Sequence, residues 1–108
     1  MKRHPLLPLT ETTYYVLLAL LQPAHGYLIM SRVEEASLGQ VRMAPGTLYG
    51  ALDNLLKQGL IERAPSEDAR RKVYRITKSG FEALSADTQR MAHLINAFTN
   101  ATQTGDAS

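Results

Sequence analysis

The sequence predicts a mainly α fold with one small antiparallel β-hairpin. Two observations carry this. Apolar residues cluster at helical spacing in three segments before residue 58 and in one after residue 78. Between them, two short β-type stretches flank a polar, charged turn. A chain of 108 residues fits one domain. With 44% hydrophobic and 20% charged residues it lies in the globular range, so a packed core is expected rather than a disordered chain.

The elements follow in order. Residues 1–8 contain Pro5 and Pro8 and read as an N-terminal arm. A helix is expected from Thr10 to about Leu21. Thr10 suits the N-cap and Glu11 the positive first turn. Leu9 and Tyr14 can close a hydrophobic staple, and Pro23 stops the helix. Its run Tyr14–Leu21 is apolar on every side, which implies a second covering surface, most simply another subunit. These eight residues are also the longest apolar run, and a membrane span needs about twenty. A second helix fits Gly26–Ala36, with Ile29, Met30, Val33 and Ala36 on one stripe and Gly39 beyond its end. Val41–Met43 reads as a short extended piece.

A third helix starts at Pro45, whose missing N–H costs nothing at the first helical position. Ala44 before it is a weak cap. Leu48, Leu52, Leu55 and Leu56 form an apolar stripe, opposite Thr47, Gly50, Asp53, Asn54 and Lys57. Gly59 is placed to end the helix in a left-handed conformation. Leu60–Ala64 and Lys72–Thr77 then read as strands around a polar turn at Pro65–Arg71. The last helix is capped either by Thr77 or by Ser79 with Glu82. It runs to about Phe98, and residues 101–108 read as a flexible tail.

Composition narrows the function classes. The absence of cysteine excludes disulfides, a thiol nucleophile and cysteine-ligated metal centres. His4, His25 and His93 lie far apart, without the spacing of a metal site. No nucleophile–base motif or phosphate-binding glycine loop appears, so neither an enzyme nor a cofactor is expected. No signal-peptide pattern is visible, and a cytoplasmic protein without membrane contact is expected. The net charge of +2 is unevenly spread. Residues 57–78 hold seven basic side chains against three acidic ones, a local net charge of +4. Such concentration points to an anionic partner, although a solvated hairpin would carry the same pattern.

The order helix, helix, helix, strand, turn, strand, helix is that of a winged helix-turn-helix, here with a C-terminal helix suited to dimerisation. Residues 9–77 form the expected DNA-binding domain and residues 78–100 the dimerisation helix. In the third helix Gly46, Thr47, Tyr49, Gly50 and Asn54 offer small and polar groups to a major groove. Arg70, Arg71 and Lys72 of the hairpin can neutralise flanking phosphates. Each has a plainer alternative: Tyr49 packing on the wing, the glycines serving helix packing, and the cations simply solvated. Tyr74 reads as a packing aromatic and His25 as a helix-start residue. A winged-helix module that binds protein rather than DNA is the rival class, and the basic hairpin argues against it. Phe81, Leu84, Thr88, Met91, Ile95 and Phe98 repeat at heptad-like spacing. With Tyr14, Leu17, Leu18 and Leu21 of the first helix they form the expected dimer seam.

Several segments resemble the PadR-like family of transcriptional regulators. Leu9–Leu20 is similar to the family's opening, and His25-Gly26-Tyr27 to the start of its second helix. Gly46-Thr47-Leu48-Tyr49, followed by Leu52 and Leu55, resembles its recognition helix. Gly59-Leu60-Ile61 resembles the junction into the wing, and Arg70–Thr77 with Gly80 the second wing strand and its exit. The resemblance spans residues 6–98 and implies a homodimeric repressor of the compact branch, with one C-terminal helix. It implies double-stranded DNA as partner, and two-fold symmetry then predicts a near-palindromic operator. It also implies a phenolic or other hydrophobic small-molecule effector. Tyr15, Met91, Leu94 and Phe98 are the candidate effector contacts, with a dry interface as the plainer alternative for them.

Overall fold

The computed structural model describes the backbone of residues 4–107 and the side chains of residues 4–103. Among these residues the order is α1 (Glu11–Ala19), β1 (Ala24–His25), α2 (Gly26–Ala36), α3 (Pro45–Lys57), β2 (Ile61–Ala64), β3 (Val73–Ile76) and α4 (Lys78–Ala107). This is the mainly helical, winged architecture that the periodicity predicts.

Thr10 caps α1 as expected: its backbone is extended and its Oγ1 accepts from the Thr13 N–H at 3.1 Å. The helix ends at Ala19 rather than Leu21. Its last carbonyls are satisfied from a distance. Arg32 of α2 donates through Nη1 to the carbonyls of Ala19 at 2.8 Å and Gln22 at 2.9 Å, a long-range form of C-terminal capping. The apolar character of α1 finds much of its cover inside the subunit, although Tyr14, Tyr15 and Leu18 are only half-buried. Val16, Leu17, Ala19 and Leu20 are buried, and the helix packs against both α2 and α4.

In α2, Ile29 and Val33 are fully buried and Met30 is half-buried, but Ala36 is exposed. Ser37 is buried instead, and its Oγ accepts from the Val41 N–H at 2.9 Å, fastening the turn into α3. The helix ends in a Schellman arrangement, with Gly39 N–H donating to Glu34 O and Leu38 N–H to Glu35 O. Leu38 itself takes the left-handed slot, at φ 54°. Val41–Met43 forms no strand, although Val41 is buried. In α3 no side chain caps the start at Ala44. The end is local: Gly59, at φ 74°, lets Leu60 N–H reach Leu55 O at 3.0 Å.

The sheet has three strands in the order β1-β3-β2, all antiparallel. β2 and β3 are the expected hairpin, with Ile61 opposite Ile76 and Ala64 opposite Val73. β1 is an addition to the expected fold. Its two residues pair Ala24 with Tyr74 and His25 with Val73, and a two-residue strand carries no periodicity to read. It ties the entry of α2 to the wing.

Thr77, not Ser79, caps α4. Its Oγ1 accepts from the Gly80 N–H at 3.1 Å and donates to Gly59 O at 2.7 Å. Gly80 is required there because a Cβ would collide with the Leu60 carbonyl oxygen. α4 continues to Ala107, past the expected end near Phe98 and into the segment that the sequence reads as a tail. No proline interrupts the segment, and extending an existing helix is far easier than starting one. Thr102 stays within the helix by donating to Phe98 O at 3.0 Å. No helix among the described residues is long and apolar enough to cross a membrane.

Candidate nucleic-acid interface

α3 divides by face. Leu48, Leu52 and Leu55 hold it to the core, while Gly46, Thr47, Tyr49, Gly50, Asp53 and Asn54 are exposed on its other sides. The wing follows directly. Asp68 shapes its tip, its Oδ1 accepting from Arg70 N–H at 2.9 Å and its carbonyl from Arg71 N–H at 2.9 Å. Arg70, Arg71 and Lys72 are all exposed.

The wing cations are not equivalent. Arg75 pairs with Glu62 at 2.7 Å, directly across the β2–β3 ladder, and Arg70 with Asp68 at 3.4 Å. Arg63 lies over the Tyr74 ring, 5.6 Å from its centroid. Arg71 and Lys72 have no acidic partner among the described residues. Tyr74 is buried against the sheet, as a packing aromatic should be. Burial pushes its phenol above the ordinary tyrosine range, and the Arg63 charge opposes that rise.

Tyr49 lines one cleft together with residues of the wing and of the start of α2. Its hydroxyl lies over Gly26, where a Cβ would come within 2.8 Å of Oη. The ring, Gly26, His25, Tyr27, Arg70, Arg71 and Lys72 line one cleft of about 560 Å³. Three of these, His25 of β1 and Gly26 and Tyr27 at the start of α2, were not among the expected DNA-binding residues. Only the pairing of β1 with β3 brings them beside the wing, and no local pattern signals it. Asp53 is exposed on the same helix as Tyr49 and makes no ion pair among the described residues.

The expected dimer residues separate into two groups. Leu17 is fully buried and Leu84 is 5% exposed, both within the subunit's own core, so neither is left to face a second chain. Tyr14 and Leu18 are half-buried, and the Tyr14 hydroxyl is 2.7 Å from Thr88 Oγ1. Leu21, Phe81, Ile95 and Phe98 are exposed, Phe98 to 71%, and Met91 is half-buried. Of the expected effector contacts, Tyr15 and Met91 share a groove of about 260 Å³ between α1 and α4, with Leu9, Glu11, Tyr14, Asp87 and Arg90. Leu94 and Phe98 do not line it; both are exposed farther along α4. Asp87 is 1% exposed and accepts from Arg90 Nε at 2.7 Å. Its burial was not legible in sequence, where it reads as one more charge on a polar helix face.

Comparison with known proteins agrees with this geometry. A curated relative, an uncharacterised 37.1 kDa protein in transposon TN4556 of Streptomyces fradiae, is 40% identical over 72 residues. The match takes 67% of this chain but only 20% of that protein. The structure of H. salinarum RosR aligns at 25% identity with a TM-score of 0.66, covering 95% of this chain and 99% of that one. A PadR-family transcriptional regulator from Eggerthella lenta shares the fold, with a TM-score of 0.69 at 24% identity over 86% of this chain and 82% of its own. The PadR-like transcriptional regulator family itself matches residues 16–86, from the core of α1 through the wing into α4. The helix-turn-helix, the basic wing and this match converge: the chain belongs to the PadR-like family of transcriptional regulators.

Proposed function

We propose that this regulator binds DNA sequence-specifically as a cytoplasmic homodimer, represses transcription from a near-palindromic operator, and releases DNA when a hydrophobic or phenolic effector binds. The observation that carries the DNA reading is the pair Arg71 and Lys72, exposed and without an acidic partner, beside Tyr49 and the exposed polar face of α3. Cations in that position neutralise phosphates, while Thr47 and Asn54, exposed on α3, can meet base edges. Gly46 and Gly50, with open space where a Cβ would stand, allow close approach of the helix. Residues 9–77 serve as the DNA-binding unit. The exposed Phe81, Leu94, Ile95 and Phe98 support residues 78–100 as the dimerisation helix. For the effector, the Tyr15–Met91 groove is the supporting feature, because Met adapts to varied apolar ligands. A protein-binding winged helix would be expected to replace the wing cations, and this wing keeps them.

The test is duplex binding across a salt series. Arg71→Ala should weaken all sequences about equally and lower the salt slope by roughly one. Asn54→Ala should instead change sequence preference, by about 1–3 kcal/mol at one base pair. An Arg71→Ala protein with unchanged affinity and slope would exclude the wing from the interface. Aromatic compounds titrated against the protein–DNA complex test the effector, with release of DNA as the expected result.

A further inference from the structure

Among the described residues, both hydrogen-bonding neighbours of the His25 ring are N–H groups. His25 belongs to β1, opposite Val73 of the wing, and also caps α2. Its Nδ1 accepts from the Leu28 N–H at 3.5 Å, and its Nε2 lies 3.4 Å from Arg71 Nη1. A neutral imidazole has one acceptor nitrogen and one N–H, and a guanidinium only donates. With Nδ1 accepting the cap, Nε2 bears its hydrogen toward a second donor. With Nε2 accepting from Arg71, the Leu28 N–H loses its cap. A single anionic oxygen between Nε2–H and the guanidinium satisfies both donors and leaves the cap intact. Tyr49 provides a third donor on the wall of the same cleft. Arg70, Arg71 and Lys72 also line it, and among the described residues no carboxylate does.

We propose that His25 Nε2–H, the Arg71 guanidinium and the Tyr49 hydroxyl together hold one phosphate oxygen of the DNA backbone. The site joins three separate elements, β1, the wing and α3, so an occupied site sets the spacing between wing and recognition helix. This assignment rests on the DNA-binding reading above. Free inorganic phosphate would offer the same donors the same oxygen, and the experiment separates the two sources.

The measurement is fluorescence anisotropy with a mixed-sequence duplex across a salt series, on the full chain. Five proteins are compared with wild type: His25→Asn, His25→Ser, Arg71→Ala, the double variant His25→Asn/Arg71→Ala, and Lys72→Ala. Asn and Ser both keep a capping oxygen for α2, and circular dichroism with thermal melting checks the fold of each. His25→Asn and Arg71→Ala should each weaken binding about three- to tenfold. The double variant should lose clearly less than the product of the two, because both act on one oxygen. Losses that multiply, or His25 variants that bind like wild type, would overturn the shared site while the salt dependence of the wild type upheld DNA binding. A wild-type protein that binds no duplex at any salt would instead overturn the DNA-binding reading. In the second arm, NMR follows the His25 imidazole during titration with inorganic phosphate at constant ionic strength, and separately with duplex. A saturable response to duplex alone is expected. A saturable response to inorganic phosphate, with His25→Asn leaving duplex affinity intact, would assign the site to a free anion.

Discussion

The two halves of α4 show how the same kind of residue meets different fates. In the first half, Gly80, Ala83, Leu84 and Asp87 are buried against the rest of the subunit. From Ala92 to Gln103 every residue is exposed, Leu94, Ile95 and Phe98 included. Both halves carry apolar residues at helical spacing. The spacing says that a face is to be covered; it does not say by what. α1 makes the converse point, since its all-round apolar surface finds much of its cover in α2 and α4 of the same chain. The first half of α4 is therefore part of the fold, and the second half is surface that a second copy is proposed to cover.

The sharpest way to test this division is to damage each side separately. Leu17→Ala, in the core beneath α4, should cost about 2–5 kcal/mol of subunit stability in urea unfolding, because it leaves a cavity in a packed interior. Ile95→Glu with Phe98→Glu should leave the core intact and act on association alone. Light scattering coupled to size exclusion should then read a monomer where wild type reads a dimer, with near-native chemical shifts for Val16, Leu48 and Ile61. Global unfolding of that variant would break the comparison, since the subunit would then depend on its outer face.

Smaller effects sharpen the boundary. The Tyr14–Thr88 hydrogen bond joins α1 to α4 near the point where burial ends. Tyr14→Phe should cost about 0.5–1 kcal/mol, toward the low end for a hydrogen bond because this one is exposed. The smallest expected effect concerns alkaline pH. Burial holds the Tyr74 phenol above its ordinary range in the folded chain, so the unfolded chain gives up that proton first. The associated stability is complete below about pH 10 and is lost as pH rises through the folded-state value. Tyr74→Phe should make the loss of stability above pH 10 shallower. An identical alkaline slope in the two proteins would show that other groups carry it.

Elements whose cause is local were legible from their own residues. Thr10 supplies an oxygen to the first turn of α1, Pro45 opens α3 at a position needing no N–H, and Gly59 takes the left-handed backbone that ends α3. Thr77 was one of two plausible caps for α4; what selects it is its second hydrogen bond, to Gly59 O, from a distant turn. Small polar residues are weak helix signals, so the sequence predicts that α4 ends near Phe98, while nothing in residues 99–107 stops a helix already formed.

The wing and the third helix were legible as residue types in order: a polar face on α3, then a cluster of cations on a hairpin. Their meeting place was not. His25, Gly26 and Tyr27 reach the wing because β1 pairs with β3 across nearly fifty residues of sequence, and Tyr49 reaches α2 because Gly26 has no side chain in its way. Asp87 looked like a surface charge until packing buried it beside Arg90. Sequence alone determined the four helices and the hairpin, their order, the cap of α1, the stop of α3 and the basic character of the wing, since these depend on neighbours within a few residues. Tertiary structure decided which apolar faces the subunit covers for itself and which cations keep a free charge. Those outcomes depend on contacts between segments far apart in the chain, and no local spacing encodes them.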